Sequence, residues 1–231
     1  MQKSPPHLSR RDTLRAAAAG ALSLGAPAAL AACTPAPSGG GTTVSPDADR
    51  TTPAAGDQRV LLAYFSRAGE NYYYGGRRTL KVGNTAVLAR LIADRIDCDV
   101  FEITAADPYP TDYEQTVARN VREEQQDARP EIDGSLPSLD GYDTVLLGSP
   151  VWNVQTPMIM RTFVEALDFG GKAVHPFVTY AVSRMGDVRS DYRRLLPNAT
   201  ITQGLAVQGE TVNDAAADAA GWLDSLDLPR K

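Results

Sequence analysis

The chain is poor in the residues that most often bind metals or catalyse hydrolysis. Only two of its 231 residues are cysteines and only two are histidines. His7 lies near the N-terminus and His175 lies near an expected turn. Neither histidine therefore belongs to a zinc-binding cluster or to a Ser-His-Asp arrangement. We expect no metal centre and no hydrolytic triad.

Positive charge and long apolar runs are also scarce. The 23 basic residues are outnumbered by 28 acidic residues, which gives a formal net charge of −5. An acidic surface repels nucleic acid and argues against attachment to a membrane through a basic patch. The Ala-rich stretch from Ala16 to Leu30 is too short to span a bilayer comfortably. We therefore predict that the protein does not bind nucleic acid, and that any membrane attachment is through a lipid.

The first 33 residues have the features of an export signal. The paired arginines Arg10 and Arg11 precede the Ala-rich stretch, which ends in Leu30-Ala31-Ala32-Cys33. A basic region, a modest apolar segment and small residues at the end are typical of a secretory signal peptide. The pair resembles a twin-arginine signal, and the last four residues resemble a bacterial lipobox, whose cysteine is acylated. We expect an exported lipoprotein anchored through Cys33 and facing the extracytoplasmic side; an ordinary signal peptide with a chance cysteine is the alternative.

The next segment, residues 34–57, is predicted to be a disordered tether. It is rich in Pro, Gly, Ser and Thr and has almost no large apolar residue, so it cannot offset the entropy of ordering. As a flexible coil it would have an end-to-end distance of about 25 to 30 Å. Residues 58–231 then form one α/β domain with a sizeable core. Within it, Cys98 lies among apolar residues and is expected to be an unreactive thiol.

Strand-like runs alternate with amphipathic helical patterns along residues 58–231, which predicts parallel βαβ units with helices on both faces of a sheet. Pro176 is expected to precede a strand, because proline donates no ladder hydrogen bond. Thr156 and Pro157 are expected to begin a helix as its N-cap and first residue. Five strands fit a doubly wound sheet of order 2-1-3-4-5. They are predicted near Val60 to Ser66, Asp99 to Ile103, Thr144 to Gly148, Phe177 to Ala181 and Ile201 to Val207.

Two polar loops follow strands 1 and 3 and are expected to meet at one edge of this sheet. The first begins at Ser66 and leads through Gly83-Asn84-Thr85 into a helical pattern. Hydroxyl and amide groups beside the N–H groups of a helix start suit a phosphate. The second, Ser149-Pro150-Val151-Trp152-Asn153, places an aromatic plane beside it. Together the loops predict a site for flavin mononucleotide (FMN).

These motifs resemble the flavodoxin family, particularly the bacterial flavodoxin-like proteins with Tyr-Phe-Ser near the first strand. The resemblance covers residues 59 to about 227 and implies a flavodoxin-like three-layer sandwich. It is carried by Tyr64-Phe65-Ser66, Gly83-Asn84-Thr85, Gly148 to Trp152, and the Gly171-Lys172 turn before Phe177-Val178-Thr179.

The resemblance also implies roles for individual residues in holding FMN. Ser66, Asn84 and Thr85 would hold the phosphate, and Ser149 to Asn153 would flank the isoalloxazine ring, with the loop after Thr179 on its other side. Trp152 is expected to stack on the ring or touch its edge, with a place in the core as the alternative. Tyr180 is a further candidate for the opposite face, although it could equally end a buried strand.

The first loop departs from the family pattern, because Arg67 to Val82 intervene between Ser66 and the Gly-Asn-Thr element. This insert is expected to fold over the phosphate, shape a substrate pocket or extend into solvent. The favoured function is electron transfer to a redox partner protein or small electron acceptor. The alternatives are an FMN-dependent NAD(P)H:quinone-type oxidoreductase and a lipoprotein that has lost its cofactor. The sequence leaves the oligomeric state open.

Overall fold

A computed structural model of the protein describes residues 58–231. The predicted export signal and tether lie outside the described residues. The strands are β1 (Val60–Phe65), β2 (Gly69–Tyr73), β3 (Gly76–Leu80), β4 (Asp99–Ile103), β5 (Thr144–Pro150), β6 (Ala173–Tyr180), β7 (Thr200–Ile201) and β8 (Leu205–Gln208). The helices are α1 (Asn84–Ala93), α2 (Tyr113–Gln125), α3 (Met158–Glu165), α4 (Val188–Leu195) and α5 (Ala216–Asp224), with a 3-10 helix at Gly209–Asp214.

Six of these strands form a parallel sheet in the order β4-β1-β5-β6-β7, with β8 also pairing with β6. The central strands β1 and β5 are buried along almost their whole length, as expected for parallel strands covered on both faces. The predicted α/β fold and the strand order 2-1-3-4-5 are confirmed. The fifth position differs in detail, because it is divided between the short strands β7 and β8.

Two helical layers cover the sheet, and neighbouring residues of β1 point into opposite layers. Leu61 packs in a cluster with residues of α3 and α4, such as Phe163 and Tyr192. Leu62 packs in a second cluster with residues of α1 and α5, such as Leu88 and Leu223. This alternation follows from the two-residue period of a strand. It gives the sheet two apolar faces and leaves only its ends available for polar chemistry.

The expectation that Pro176 precedes a strand is wrong. Pro176 lies inside β6, opposite Leu147 of β5. The structure accommodates it because the outer strand is interrupted beside it. Pairing with β7 ends at Val174, and pairing with β8 resumes at Phe177. The interruption removes the continuous ladder in which the missing N–H group would be needed.

The expected helix start at Thr156 is also displaced. Helix α3 begins at Met158, with Pro157 at the N-cap position and no side-chain cap. Thr156 is fully buried, and its backbone N–H group donates to Asp191 Oδ2 at 3.1 Å. Thr156 is therefore held by the carboxylate of Asp191 on α4, one position before the cap.

The insert between Ser66 and Gly83 forms a β-hairpin. Strands β2 and β3 pair antiparallel, from Gly69 opposite Leu80 to Tyr73 opposite Gly76. On one side Arg77 donates to Glu114 Oε1 of α2 at 2.7 Å. On the other side the N–H group of Tyr74 donates to Glu210 Oε1 at 3.2 Å. The hairpin is thus fastened at both sides instead of extending freely into solvent.

A strained turn follows β5. Trp152 and Gln155 exchange two backbone hydrogen bonds, of 3.2 and 2.9 Å. The residues between them, Asn153 and Val154, have φ values of 46° and 70°. Two successive positive φ values are the signature of a type I′ turn, which favours Asn-Gly. A β-branched residue such as Val154 is a genuine outlier there.

We expect Val154→Gly to raise the free energy of unfolding by about 1 kcal/mol, because it relieves the backbone strain at this turn. Val154 is half exposed, so little packing is lost. Urea denaturation of both proteins measures the change. Val182→Gly is the matched control, because Val182 is more exposed and is not among the residues with positive φ. The control should give no gain, and a Val154→Gly protein no more stable than the parent would contradict the account.

Candidate functional site

A cleft opens where the carboxyl ends of β1, β5 and β6 meet. Its empty space has a volume of about 600 Å³ when the open mouth is included. The hairpin and the start of α2 form the wall opposite the sheet. Its lining residues are Ser66, Arg67, Asn71, Tyr72, Asn84, Thr85, Tyr113, Pro150, Val151, Trp152, Thr179, Tyr180, Ala181, Gly209 and Glu210.

The polar end of the cleft is the start of α1. Gly83 occupies the N-cap position, where it has no side chain to cap the helix. Ser66 Oγ supplies the cap from the end of β1, since it accepts the N–H group of Ala86 at 3.0 Å. The Ser66 hydroxyl hydrogen remains available to donate. The other N–H groups of the first turn have no partner within the helix, so this end suits an anion.

Close packing fixes this arrangement. A Cβ atom at Gly83 would lie 2.3 Å from Ser66 Oγ and 2.6 Å from the carbonyl oxygen of Arg67. Only glycine lets the two chain segments approach this closely. Thr85 is buried, and its Oγ1 lies 2.8 Å from Thr179 Oγ1. That hydroxyl pair ties α1 to β6, so Thr85 positions the helix start relative to the sheet.

Trp152 and Tyr180 are aromatic residues in the lining of the cleft. Trp152 packs edge to face against Phe65 and Tyr109, with ring centroids 5.4 and 5.0 Å away. Tyr109 donates to Glu123 Oε2 at 2.9 Å, and burial together with this carboxylate raises the pKa of Tyr109. Trp152 therefore packs against the core and also lines the cleft.

Seven of the ten predicted contact residues line the cleft, namely Ser66, Asn84, Thr85, Pro150, Val151, Trp152 and Tyr180. Gly83 lies behind them as the helix cap. Ser149 is fully buried, and its hydroxyl lies beside that of Tyr192 on α4. Asn153 lies in the turn and donates to Glu124 Oε2 of α2 at 2.6 Å. The side chains of Ser149 and Asn153 are thus not brought to the cleft.

The cleft also contains residues that the sequence reasoning missed. Asn71 and Tyr72 come from the hairpin, whose strands were not foreseen. Glu210 follows β8, so the rule that loops at carboxyl strand ends form the site could have identified it. Its Oε1 accepts the N–H group of Tyr74, whereas its Oε2 is buried and has no hydrogen-bond partner in residues 58–231.

Arg67 lies at the centre of the wall. Its Nη1 donates to the carbonyl oxygens of Pro110 at 2.8 Å and Thr111 at 3.3 Å, and its Nη2 donates to that of Glu70. No carboxylate of the described part of the chain lies within ion-pair distance of its guanidinium. Desolvation by burial is the main effect on its pKa, which is lowered. Arg67 thus presents a positive charge that backbone oxygens hold in place.

Other chemistries find little support in the described residues. Between Gln58 and Lys231 no group of His, Cys, Asp and Glu side chains is arranged to hold a metal ion. None of the helices in that range is long and apolar enough to cross a bilayer. Cys98 is a free thiol, and burial raises its pKa to about 11. A thiol that stays protonated at neutral pH is a poor nucleophile.

Solved structures similar to this chain include two proteins from Bacteroides species, each named as a candidate flavoprotein. The protein from Bacteroides uniformis ATCC 8492 is 29% identical with a TM-score of 0.55, and the match covers 72% of this chain and 98% of that chain. The protein from Bacteroides eggerthii DSM 20697 is 25% identical with a TM-score of 0.57, covering 74% and 98%. A flavoprotein from Lactobacillus acidophilus NCFM, solved in complex with FMN, is 19% identical with a TM-score of 0.49, covering 69% and 99%.

The family comparison covers most of the described residues. No curated protein matches the chain. The sequence profile of the family described as Flavodoxin matches residues 77–226, which is more than half of the chain. The matched range runs from the second strand of the hairpin to just beyond α5. The chain therefore belongs to the flavodoxin family.

Proposed function

We propose that the protein binds FMN in the cleft and transfers electrons through it to a redox partner protein or a small electron acceptor. The observation that carries this proposal is the lining of one cleft by Ser66, which caps the start of α1, and by the aromatic residues Trp152 and Tyr180. Membership of the flavodoxin family supports it, as do the Bacteroides structures named as candidate flavoproteins. When bound, FMN supplies the capacity to accept and release electrons.

The donor set at the start of α1 fits the phosphate of FMN. A phosphate dianion needs several hydrogen-bond donors and benefits from the positive end of a helix dipole. Ser66 can donate its hydroxyl hydrogen, because its oxygen already accepts the N–H group of Ala86. The side chain of Asn84, the first residue of the helix, lines the same end. These groups would hold the phosphate without a lysine.

The remaining lining fits the rest of the nucleotide. Glu210 Oε2 is a buried acceptor without a partner in the described range, and a hydroxyl of the ribityl chain would satisfy it. Trp152 and Tyr180 offer apolar surfaces for the isoalloxazine ring. The hairpin residues Asn71 and Tyr72 would then shield the nucleotide from water. This assigns the insert a place in the cofactor site.

The net negative charge of the protein favours an electron carrier over an enzyme. The chain has five more acidic than basic side chains. A net negative charge favours transient docking of a basic partner. An FMN-dependent NAD(P)H:quinone-type oxidoreductase is the second candidate. It is favoured by a groove beside Trp152 that could admit a second small molecule.

Ser66→Ala tests the phosphate assignment. We expect the affinity for FMN to fall roughly tenfold to a hundredfold, because a hydrogen bond to a charged group is lost. The affinity for riboflavin, which lacks the phosphate, should change little. Quenching of flavin fluorescence measures both. Equal losses for the two flavins would show that Ser66 does not contact the phosphate.

The spectrum of the purified protein separates carrier from enzyme. We expect a yellow protein whose visible absorbance is unchanged by NADPH alone. Bleaching by NADPH, followed by turnover when a quinone is added, would support the oxidoreductase instead. Colourless protein that cannot be reconstituted with FMN would contradict both functions.

We also propose that the twin-arginine signal exports the protein and that lipid on Cys33 anchors it to the extracytoplasmic face of the membrane. This proposal rests on Arg10-Arg11 and on Leu30-Ala31-Ala32-Cys33. Export of an already folded protein is consistent with a cofactor loaded before export.

Cys33→Ser should move the exported protein from the membrane to the soluble extracytoplasmic fraction, because it removes the acylation site. Cell fractionation and immunoblotting measure the distribution. Cys98→Ser is the matched control and should leave the protein on the membrane. A Cys33→Ser protein that stays on the membrane would rule out the lipid anchor.

A further inference from the structure

A second concave surface adjoins the cleft on the side of α2. This groove has a volume of about 710 Å³, including its open part. It runs along α2 between the hairpin and the turn after β5. Its lining residues are Arg67, Asn71, Tyr113, Thr116, Val117, Asn120, Val121, Val151, Trp152 and Asn153.

The near end of the groove is positively charged. Arg67 lines it, and backbone carbonyl oxygens before α2 hold its guanidinium in place. No carboxylate of residues 58–231 forms a direct ion pair with Arg67, although Glu70 and Asp112 lie near enough to act on its charge. A guanidinium matches the geometry of a carboxylate especially well.

The far end of the groove has an unpaired hydrogen-bond acceptor. Asn120 is only 4% exposed, and its Nδ2 donates to Glu124 Oε1 at 2.7 Å. The carboxylate fixes the orientation of the amide, because only the NH₂ group can face it. Asn120 Oδ1 is then left without a partner in the described range. A buried acceptor of this kind is costly until a donor reaches it.

The middle of the groove is apolar and has a defined length. Val117 lies between Tyr113 and Asn120 on α2, and Val121, Val151 and Trp152 also line the groove. Tyr113, beside Arg67, and Asn120 are seven positions apart on α2, which corresponds to about 10 Å along the helix axis. This span suits a single ring with a hydrogen-bonding group at each end.

We propose that this groove binds a small hydroxyaryl carboxylate, with its carboxylate on Arg67, its ring against the valines and Trp152, and its hydroxyl donating to Asn120 Oδ1. The site does not require FMN. Only its position next to the flavin ring rests on the proposed function. A ligand here would lie beside the cofactor without entering the phosphate end of the cleft.

Calorimetric titration of the full chain with 4-hydroxybenzoate, with and without saturating FMN, tests the proposal. We expect 1:1 binding in both cases. Benzoate lacks the hydroxyl and 4-methylphenol lacks the carboxylate, so each should bind about tenfold more weakly. Equal affinities for the three probes, no binding at millimolar concentration, or loss of binding when FMN is added would each overturn the proposal.

Two variants assign the binding to the groove. Asn120→Leu should abolish the preference for 4-hydroxybenzoate over benzoate while leaving benzoate binding within about twofold, since only the acceptor for the hydroxyl is lost. Val117→Glu, which places a negative charge on the exposed side of the groove, should weaken both carboxylates at least tenfold. Val100→Glu is its control, because Val100 is exposed on β4 and lines neither the groove nor the cleft.

The outcomes separate this inference from the proposed function. If Val117→Glu binds the carboxylates as the parent does, or Asn120→Leu keeps the preference, the groove is not the site. If the protein fails to bind FMN but these probes and variants behave as expected, the groove site stands and only the flavin assignment falls. Val117→Glu also keeps the test decisive if Asn120→Leu does not fold.

Discussion

The hydrogen bond from Ala86 N–H to Ser66 Oγ is the contact on which the site depends. It joins the end of β1 to the start of α1, although a hairpin separates the two in sequence. The contact forms because Gly83 has no side chain that would push the segments apart. It leaves a helix N-terminus facing the cleft, where an anion is favoured. The role proposed for the phosphate end of the cleft follows from this junction.

The hairpin forms a wall that the cleft and the adjoining groove share. Arg67, Asn71 and Trp152 each line both the cleft and the groove. Backbone carbonyls hold Arg67, while Glu114 and Glu210 fasten the hairpin at its two sides. The insert therefore supplies a wall that the sheet and helices alone do not provide. A nucleotide in one compartment and a smaller ligand in the other would share that wall.

The sequence predicted the sheet and the position of the site because both follow from periodicity. Buried parallel strands appear as apolar runs, and their carboxyl ends gather at one edge. Prediction from the sequence was incomplete where tertiary contacts decide the local structure. Pro176 lies within β6 because a neighbouring strand is interrupted beside it. The burial of the Ser149 side chain was also not foreseen: β5 extends to Pro150, so the pleat directs this side chain towards α4. The hairpin lacks an alternating apolar pattern that would have revealed it.

The crystal structure of the protein with FMN tests the central claim most directly. The account predicts the phosphate within hydrogen-bond distance of Ser66 Oγ and of the first-turn N–H groups of α1, with the isoalloxazine ring against Trp152. A structure in which FMN binds elsewhere, or in which its phosphate lies away from the start of α1, would contradict the account even though the fold would be unchanged.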